Sequence, residues 1–423
     1  MDSLKCMRRK LLSILPLLLI SFSAFAGDFG KSGLSILPSP CLGYSTNHGT
    51  QYGANVTIID FGDGSFYPNY KQKIYLEATK YTKGKTSLKA VYDSGMLIPD
   101  FRFSAIIAYQ SNPLYRFYGF NGSATPYDPS LDLKNDIAYY NFGRKIFKAA
   151  ANIQHKITDG LNWVAGVNFV KYGIETVSDR FTSDPSNTLY HIYKKAGIIR
   201  TNEAEGGQRL EFNTGIVFDT RNEYTAPSSG IWSELYLTGS PDVFNDSYRY
   251  LKLSAHFRHY LSLIDEERLI FAYHLAYQGT IAGEAPFYVQ QSINELIYKK
   301  TVSEGLGSKN TIRGTLNNRF VGDSYAWANV ELRIKLFSFN AFRQSFYVAT
   351  NPFIDFGAIV KPFRLNAERG SELYKAATKL HESVGIGAKL VMSRNFVASA
   401  EIAKPLQKDD GKFGFNMGMN YMF

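Results

Sequence analysis

The sequence predicts an all-β protein, a transmembrane antiparallel β-barrel of about 16 strands with a long extracellular loop folded into its lumen. Three observations support this prediction. The chain begins with a segment typical of export, no later stretch approaches 18 consecutive apolar residues, and short segments of alternating apolar and polar residues recur to the last position. A chain that spans a membrane without apolar helices must close its strands into a barrel, because backbone polar groups cannot stay unpaired in hydrocarbon.

The N-terminal residues have the pattern of a secretory signal peptide. Basic residues between Lys5 and Lys10 precede an apolar segment from Leu11 to Phe22, and Ala24-Phe25-Ala26 supplies a cleavage site of small residues. The apolar segment is too short to span a bilayer as a helix. We therefore expect residues 1–26 to be removed, 27–50 to be a short periplasmic segment, and 51–423 to be the barrel domain.

Composition excludes some classes of protein. Removal of residues 1–26 would leave 43 basic and 36 acidic residues, a net charge of +7. We assign this charge to the lumen, the loops and contact with lipopolysaccharide phosphates rather than to nucleic-acid binding. Cys41 would be the remaining cysteine, so the mature chain forms no internal disulfide.

The last twelve residues show the alternation most clearly. Apolar residues at every second position from Phe413 to Phe423 share one face of a predicted strand, and the other face is small or polar except at Met422. An aromatic residue that ends such a strand resembles the C-terminal signal of outer-membrane barrels, carried here by Tyr421 and Phe423. Together with the signal peptide, this strand places the protein in the outer membrane of a Gram-negative bacterium.

Sixteen segments follow the same pattern, and an even number returns both termini to the periplasm. The turns at 82–85, 158–160 and 393–395 then fall on the periplasmic side, and the long connections at 175–208, 280–325 and 359–382 on the extracellular side. This count makes 111–133 a long periplasmic excursion. The predicted strands lie near 51–61, 71–80, 86–93, 101–110, 134–143, 146–157, 161–174, 209–219, 230–239, 248–261, 267–279, 326–337, 345–358, 383–392, 396–404 and 412–423.

The connection at 280–325 contains Ile312-Arg313-Gly314-Thr315, and the following strand reads Asn329-Val330-Glu331-Leu332-Arg333. This order resembles the bacterial surface antigen superfamily, whose barrels insert or translocate other proteins at the outer membrane. The family's sixth extracellular loop carries a hydrophobic-Arg-Gly-aromatic tetrad before an Asn-x-Glu-Leu-Arg strand. Thr315 departs from the aromatic residue at the fourth place.

Further segments resemble the same family. Phe218–Asn222 with Pro227–Gly230 is similar to its Asp-Thr-Arg turn before a Pro-x-x-Gly strand, and Phe353–Gly357 is similar to its Asp-x-Gly strand. The resemblance covers about 209–423. Family barrels usually follow periplasmic POTRA domains, and residues 27–50 are too few to hold one. The resemblance therefore implies a member without POTRA domains.

Strand alternation and the resemblance both predict an internal lock. Glu331 and Asp355 fall on the lumen-facing side of their strands, opposite the apolar faces that must meet lipid. A loop folded into the lumen would bring Arg313 against one or both carboxylates, and Gly314 follows it in the motif. A guanidinium fork suits carboxylates and would offset the entropy lost in ordering a long loop. The alternative is that Arg313 is a solvated loop residue.

The sequence offers little for an enzyme. It contains no G-x-S-x-G motif, and His381-Glu382 lacks the second histidine of a zinc-peptidase helix. His256 and His259 lie three apart on a predicted strand and therefore face opposite sides, which is poor geometry for a shared metal. We expect no catalytic site, no metal and no cofactor. A lipase with a dispersed Ser-His pair is the remaining enzymatic alternative.

Two functions remain from the sequence. The first is a barrel that assists assembly, insertion or translocation of other outer-membrane or surface proteins, opening between its first and last strands. Its partners would be outer-membrane lipid, lipopolysaccharide, client proteins and other assembly proteins of the envelope. The second is a passive diffusion channel or structural barrel that has lost the client role. The absence of a POTRA domain favours the second, and the retained Arg-Gly loop favours the first.

Overall fold

The structure is a computed structural model that describes residues 32–45, 48–65, 67, 69–122, 127–132, 138–296, 303–341, 344–365, 379–394 and 396–423. The predicted signal peptide lies outside the described residues. Within these ranges, no helix is both long enough and apolar enough to cross a membrane.

Sixteen antiparallel strands form one closed sheet, as the sequence predicts. We number them β1 to β16 in chain order. They are β1 (two segments, Leu34–Pro40 and Gly43–Ser45), β2 (Gly49–Asp60), β3 (Gln72–Tyr81), β4 (Thr86–Ile98), β5 (Phe101–Arg116), β6 (Asn141–Thr158), β7 (Leu161–Glu175), β8 (Gly206–Asp219), β9 (Gly230–Ser240), β10 (Tyr250–Ile264), β11 (Leu269–Gly283), β12 (Ser324–Ala341), β13 (Gln344–Lys361), β14 (His381–Met392), β15 (Phe396–Pro405) and β16 (Gly414–Met419). Two short helices lie in the connections, α1 (Leu189–Lys195) and α2 (Phe287–Gln290).

The barrel is apolar outside and polar inside, the reverse of a water-soluble protein. On β8, Phe212 is 52% exposed and Ile216 is 45% exposed, whereas Glu211 and Asn213, on either side of Phe212, are buried. Successive side chains of a strand point to opposite faces of the sheet, so one alternating sequence supplies both surfaces. An outer surface of this kind fits hydrocarbon, and the inner surface can hold paired charges.

The predicted count of 16 is confirmed, but two strands of the first third differ. The strands expected at 134–143 and 146–157 are not separate where the structure describes them, because β6 runs unbroken from Asn141 to Thr158, and residues 134–137 lie outside the described residues. Gly143 and Arg144, at the expected break between the two strands, continue the ladder opposite β7. The missing strand is β1, which pairs with β2 and begins the barrel before residue 51, inside the segment expected to be periplasmic at 27–50. The sequence did not predict β1 because Pro38 and Pro40 lie within it, and proline within an apolar run argues against a paired strand.

Because β1 comes before residue 51, two connections lie at the opposite end of the barrel from the one expected. The turn at 82–85, expected at the periplasmic end, lies beside the long connections, because a Cβ on Gly84 would come 2.8 Å from the Cγ of Pro113. The expected excursion at 111–133 is likewise corrected: β5 continues to Arg116 and the connection 117–140 joins the other long loops. We call the two ends the long-loop end and the short-turn end. The connection 284–323 is the sixth at the long-loop end, and we call it loop 6.

An aromatic cap fills the lumen at the long-loop end. It brings together rings from 117–140, from α1 and from α2, which lie far apart in sequence. Phe117, Phe120 and Phe287 are 0% exposed, and their ring centroids lie 5.5 to 6.4 Å apart. Offset aromatic contacts at these distances favour a rigid, dry cluster.

The short-turn end is narrowed by residues 220–229 and by the residues after β16. Ala226 packs against Val391 and Val397 on the opposite wall. The last strand was predicted to run from 412 to 423, but β16 ends at Met419, and Asn420 adopts a left-handed conformation with φ +70°. The chain then turns into the lumen, so Tyr421 and Phe423 do not face lipid. A cavity of about 560 Å³ lies in the lumen between the aromatic cap and the narrowed short-turn end.

Candidate functional site: the loop lock and the strand seam

The tip of loop 6 is a tight turn that presents Arg313 to the barrel wall. Thr315 Oγ1 donates to the carbonyl of Ile312 at 2.7 Å and accepts from the backbone N–H of Ser308 at 3.0 Å. Gly314 follows Arg313 with φ +86°, a conformation that glycine adopts without a steric penalty. Thr315 therefore fixes the loop tip through hydrogen bonds at the position where an aromatic residue was expected.

Arg313 binds three carboxylates on three strands. Its Nε and Nη2 donate to the two oxygens of Asp355 at 2.9 and 2.8 Å, and its backbone N–H donates to the same carboxylate at 2.9 Å. Nη1 donates to Glu331 at 2.5 Å and to Glu401 at 3.2 Å. The guanidinium also stacks on the ring of Phe353, with Cζ 3.4 Å from the centroid. This arrangement uses the bidentate geometry that distinguishes arginine from lysine.

The lock is a balanced cluster of six buried charges. Arg333 donates to Glu331 at 3.0 Å, and Lys389 donates to Glu401 at 2.7 Å. With Arg313, these give three cations for three carboxylates, each 8% exposed or less. Burial disfavours the charge on Arg313, but the facing carboxylates outweigh burial and raise the pKa of its guanidinium above the ordinary value. Such a cluster depends on completeness, because removing one member leaves a buried charge unpaired.

Gly314 brings loop 6 against the last two strands. A Cβ at this position would lie 2.7 Å from the carbonyl carbon of Ala403 and 2.8 Å from its Cβ. A Cβ on Gly414 would lie 2.7 Å from the Cα of Gly314. Backbone therefore packs on backbone here, and the N–H of Leu316 adds a 2.9 Å hydrogen bond to the carbonyl of Asp410 beside β16. Loop 6 thus supports β15 and β16 from inside the barrel.

The barrel closes through a short seam between β16 and β1. Among the described residues, two pairs join these strands, Asn416 with Ser45 and Met417 with Tyr44. The neighbouring ladder between β15 and β16 has six pairs, and β2 pairs with both segments of β1. Within the part of the chain that the structure describes, the seam is shorter than any other junction of the closed sheet.

The residues after β16 bind inside the barrel beside the lock. Nη2 of Arg333 donates to the backbone carbonyl of Phe423 at 2.7 Å, and its Cζ lies 4.1 Å from the centroid of the Tyr421 ring. The ring of Phe423 lies 5.5 Å from that of His274. Arg333 therefore joins the Arg313 cluster to the end of the seam strand.

The structure brings all four residues of the predicted lock together: Arg313, Gly314, Glu331 and Asp355. Sequence reasoning missed the third carboxylate, Glu401, and the cations Arg333 and Lys389. Lumen-facing alternation on β14 and β15 could have found Lys389 and Glu401, because both lie on the side opposite the exposed apolar residues. No local signal indicated that Tyr421 and Phe423 would leave the wall.

The histidines of β10 face opposite sides, as predicted. His256 is 1% exposed inside the barrel, whereas His259 contacts Tyr273 on the outer side, with Nδ1 3.2 Å from the hydroxyl. His256 instead meets His274 of β11, with Nδ1 and Nε2 3.1 Å apart. In the part of the chain that the structure describes, no group of three or more His, Cys, Asp or Glu could hold a metal ion.

A closed barrel of 16 antiparallel strands, apolar outside and charged inside, with a long loop locked in its lumen, defines a class: β-barrel proteins of the bacterial outer membrane. The Omp85 superfamily domain model matches residues 108–423. The chain therefore belongs to the Omp85 superfamily, which confirms the resemblance to barrels of outer-membrane assembly and translocation. No curated protein sequence matches it.

Solved structures share the fold at low sequence identity. The chain is similar to BamA from Haemophilus ducreyi lacking POTRA domains 1-3, with a TM-score of 0.55 and 16% identity over 92% of this chain and 70% of that chain. It is also similar to CdiB from Escherichia coli, with a TM-score of 0.57 and 8% identity over 91% of this chain and 63% of that chain. At these identities the likeness concerns the fold alone.

Proposed function

We propose that this barrel assists the insertion or translocation of other outer-membrane or surface proteins by opening between β16 and β1. The observation that carries the proposal is the seam of two residue pairs beside the complete loop lock. The proposal requires no catalytic group and no cofactor. Its partners are outer-membrane lipid and lipopolysaccharide, client proteins, and other envelope proteins of an assembly complex.

The seam has the energetics that such a role needs. A backbone hydrogen bond contributes a net 0.5–1.5 kcal/mol, so the two pairs between the described residues contribute on the order of 1–3 kcal/mol. The segment Leu34–Pro40 pairs with β2 along one edge, and the residues after Met419 leave the wall beside its other edge. An edge of this kind can accept an added strand, because its backbone groups are a template for β-augmentation.

The lock can hold the rest of the barrel while the seam opens. Arg313 binds β12, β13 and β15, none of which forms the seam, through Glu331, Asp355 and Glu401. Its neighbour Gly314 packs against Gly414 of β16, and this contact involves no side-chain hydrogen bond. Outward movement of β16 would therefore break the two seam pairs, this close contact and the hydrogen bond from Leu316 to Asp410, while the hydrogen bonds of Arg313 stay intact.

The lumen argues against the alternative of a passive channel. Diffusion needs a continuous water path through the barrel. The described residues instead fill the long-loop end with an aromatic cap and narrow the short-turn end with 220–229 and Tyr421–Phe423. A cavity of about 560 Å³ lies in the lumen and is lined by both polar and apolar side chains.

A disulfide across the seam tests the proposal. In a Cys41→Ser background, Tyr44→Cys with Met417→Cys joins β1 to β16. The matched control, Ala388→Cys with Ala400→Cys, joins β14 to β15, which need not separate. We expect oxidation of the seam pair to lower the levels of other outer-membrane barrels, as depletion of the protein would, while the control leaves them normal.

The readout is the quantified outer-membrane proteome with and without reductant, and reduction should restore the levels. Normal levels of other barrels after complete oxidation of the seam pair contradict opening at this seam. An unchanged proteome on depletion, together with altered solute uptake, contradicts an assembly role and supports a channel.

A further inference from the structure

A row of polar side chains crosses the inner wall from β10 to β13 and is independent of the seam. His274 on β11 stands opposite Asn329 on β12, and Asn329 stands opposite Asp355 on β13. His256 on β10 adjoins His274, with its Nδ1 3.1 Å from Nε2 of His274. The row meets loop 6 at both ends, so its hydrogens can be assigned from the groups that it contacts.

Asn329 fixes the hydrogen on His274. Its amide Nδ2 donates to the carbonyl of Thr311 at 2.5 Å and to Oδ1 of Asp355 at 2.9 Å. Both partners are acceptors, so the amide cannot be flipped. Its Oδ1 therefore faces Nδ1 of His274 at 3.2 Å, and this nitrogen must carry a hydrogen.

The backbone of loop 6 fixes the hydrogen on His256. Nε2 of His256 lies 3.0 Å from the carbonyl oxygen of Asn294, which can only accept. Nε2 must therefore carry a hydrogen as well. A neutral imidazole has one ring hydrogen, so two neutral rings would leave a lone pair on each of the facing nitrogens, 3.1 Å apart.

We propose that His256 and His274 share a third ring hydrogen, so that the pair carries one positive charge and supports loop 6 in a pH-dependent way. The proton bridges Nδ1 of His256 and Nε2 of His274. It completes a chain of hydrogen bonds from Asn294, at the start of loop 6, to Thr311 at its tip. The two rings titrate as one unit, because the bridging proton belongs to both.

Charged groups of both signs and two aromatic rings surround the pair. Glu234 on β9 stands opposite His256, and Arg258, which pairs with Glu234 at 3.5 Å, stands opposite His274. The rings of Phe423 and Trp327 complete the enclosure. The charged groups that face this region from the packed elements are Glu234 on β9, Arg258 on β10, Glu295 in loop 6, Asp355 on β13, Lys148 on β6 beyond Glu295, Arg221 near Glu234, and Arg333 on β12 beside the ring of Phe423.

Loss of the shared proton affects only the first part of loop 6, residues 292–294. When the shared proton is lost at higher pH, two lone pairs face each other, and their repulsion is relieved if His256 turns away from Asn294 or moves its ring hydrogen from Nε2 to Nδ1. The 292–294 segment would then lose the His256 contact, although Gln278 still holds it through Ser292 and Asn294. The Arg313 cluster keeps its own hydrogen bonds, so the tip stays docked.

Tryptophan fluorescence of the purified full chain in detergent micelles tests the proposal. Trp327 lies edge-on to both rings, with centroids 5.6 and 6.0 Å away. All measurements use a Trp163→Phe background, because the ring of His155 lies 6.0 Å from that of Trp163 and would quench it in the same way. A protonated imidazole quenches indole emission, so emission should rise in a single one-proton transition between about pH 5 and 8, the range in which histidine titrates. His256→Gln, His274→Gln and Trp327→Phe should each remove this transition.

His259→Gln is the matched control, because it removes an outward histidine from the same strand and should leave the transition unchanged. Flat wild-type emission over this range overturns the proposal, and so does a transition that survives in both His256→Gln and His274→Gln. If those variants fail to fold, comparison of wild type with Trp327→Phe still decides. The seam disulfide is read separately, so failure here leaves the proposed function untouched.

Discussion

Replacement of Arg313 by alanine is the sharpest test of the lock. The change removes four side-chain hydrogen bonds to Asp355, Glu331 and Glu401. Three carboxylates would then face two cations, since Arg333 stays with Glu331 and Lys389 with Glu401. One negative charge is left buried and unpaired.

The expected loss follows from this imbalance. Removing one partner of a buried charge pair costs about 3–5 kcal/mol. The four hydrogen bonds taken separately would exceed this range, but Glu331 and Glu401 retain partners and the loop can relax. We therefore expect the ratio of docked to undocked loop 6 to fall roughly 10²- to 10³-fold or more.

Trypsin cleavage after Arg319 measures the undocked population. This residue is 1% exposed, so cleavage requires the loop to open. When opening is fast relative to cleavage, the rate follows the equilibrium population of the open form. We expect Arg313→Ala to raise the rate by that factor and to weaken heat-modifiable migration in gels.

Two variants control the experiment. Arg249→Ala removes an exposed arginine from another loop and should change stability by less than about 0.5 kcal/mol. Arg313→Met with Asp355→Asn restores the charge balance and should recover much of the protection. Wild-type cleavage and migration in Arg313→Ala would show that the cluster does not hold the loop.

Two further predictions concern the loop tip and the short-turn end. Gly314→Ala should undock the tip, because the new Cβ would overlap the backbone of Ala403 and a φ of +86° is strained for alanine. Faster trypsin cleavage after Arg319 measures this undocking. An unchanged cleavage rate contradicts the close packing. Burial raises the pKa of Glu223 to about 7 from 4.5, so the folded state binds more protons than the unfolded state between these values. The free energy of unfolding should therefore fall as pH rises through this window, by up to about 3 kcal/mol, and Glu223→Gln should flatten the dependence in denaturant titrations, whereas the exposed control Glu205→Gln should not.

The sequence predicted the architecture because each strand of the barrel wall carries its own alternation of apolar and polar residues. A membrane requires every second residue of a strand to be apolar on the lipid face, so alternation identifies strands without knowledge of their partners. The same rule placed Glu331 and Asp355 inside, and the Arg-Gly motif then indicated what would bind them. Alternation failed at β1, where Pro38 and Pro40 interrupt the pattern.

Tertiary structure decided where the chain departs from the wall. Phe423 belongs to the alternating pattern of its segment, yet it lies in the lumen, because Arg333 binds its carbonyl and His274 and Tyr260 receive its ring. The positions of the ring hydrogens on His256 and His274 depend in the same way on Asn294 and Asn329, which come from other elements. The alternating sequence therefore determined which surface each strand presents. The seam, the lock and the histidine pair depended on distant residues, whose approach follows from closure of the barrel.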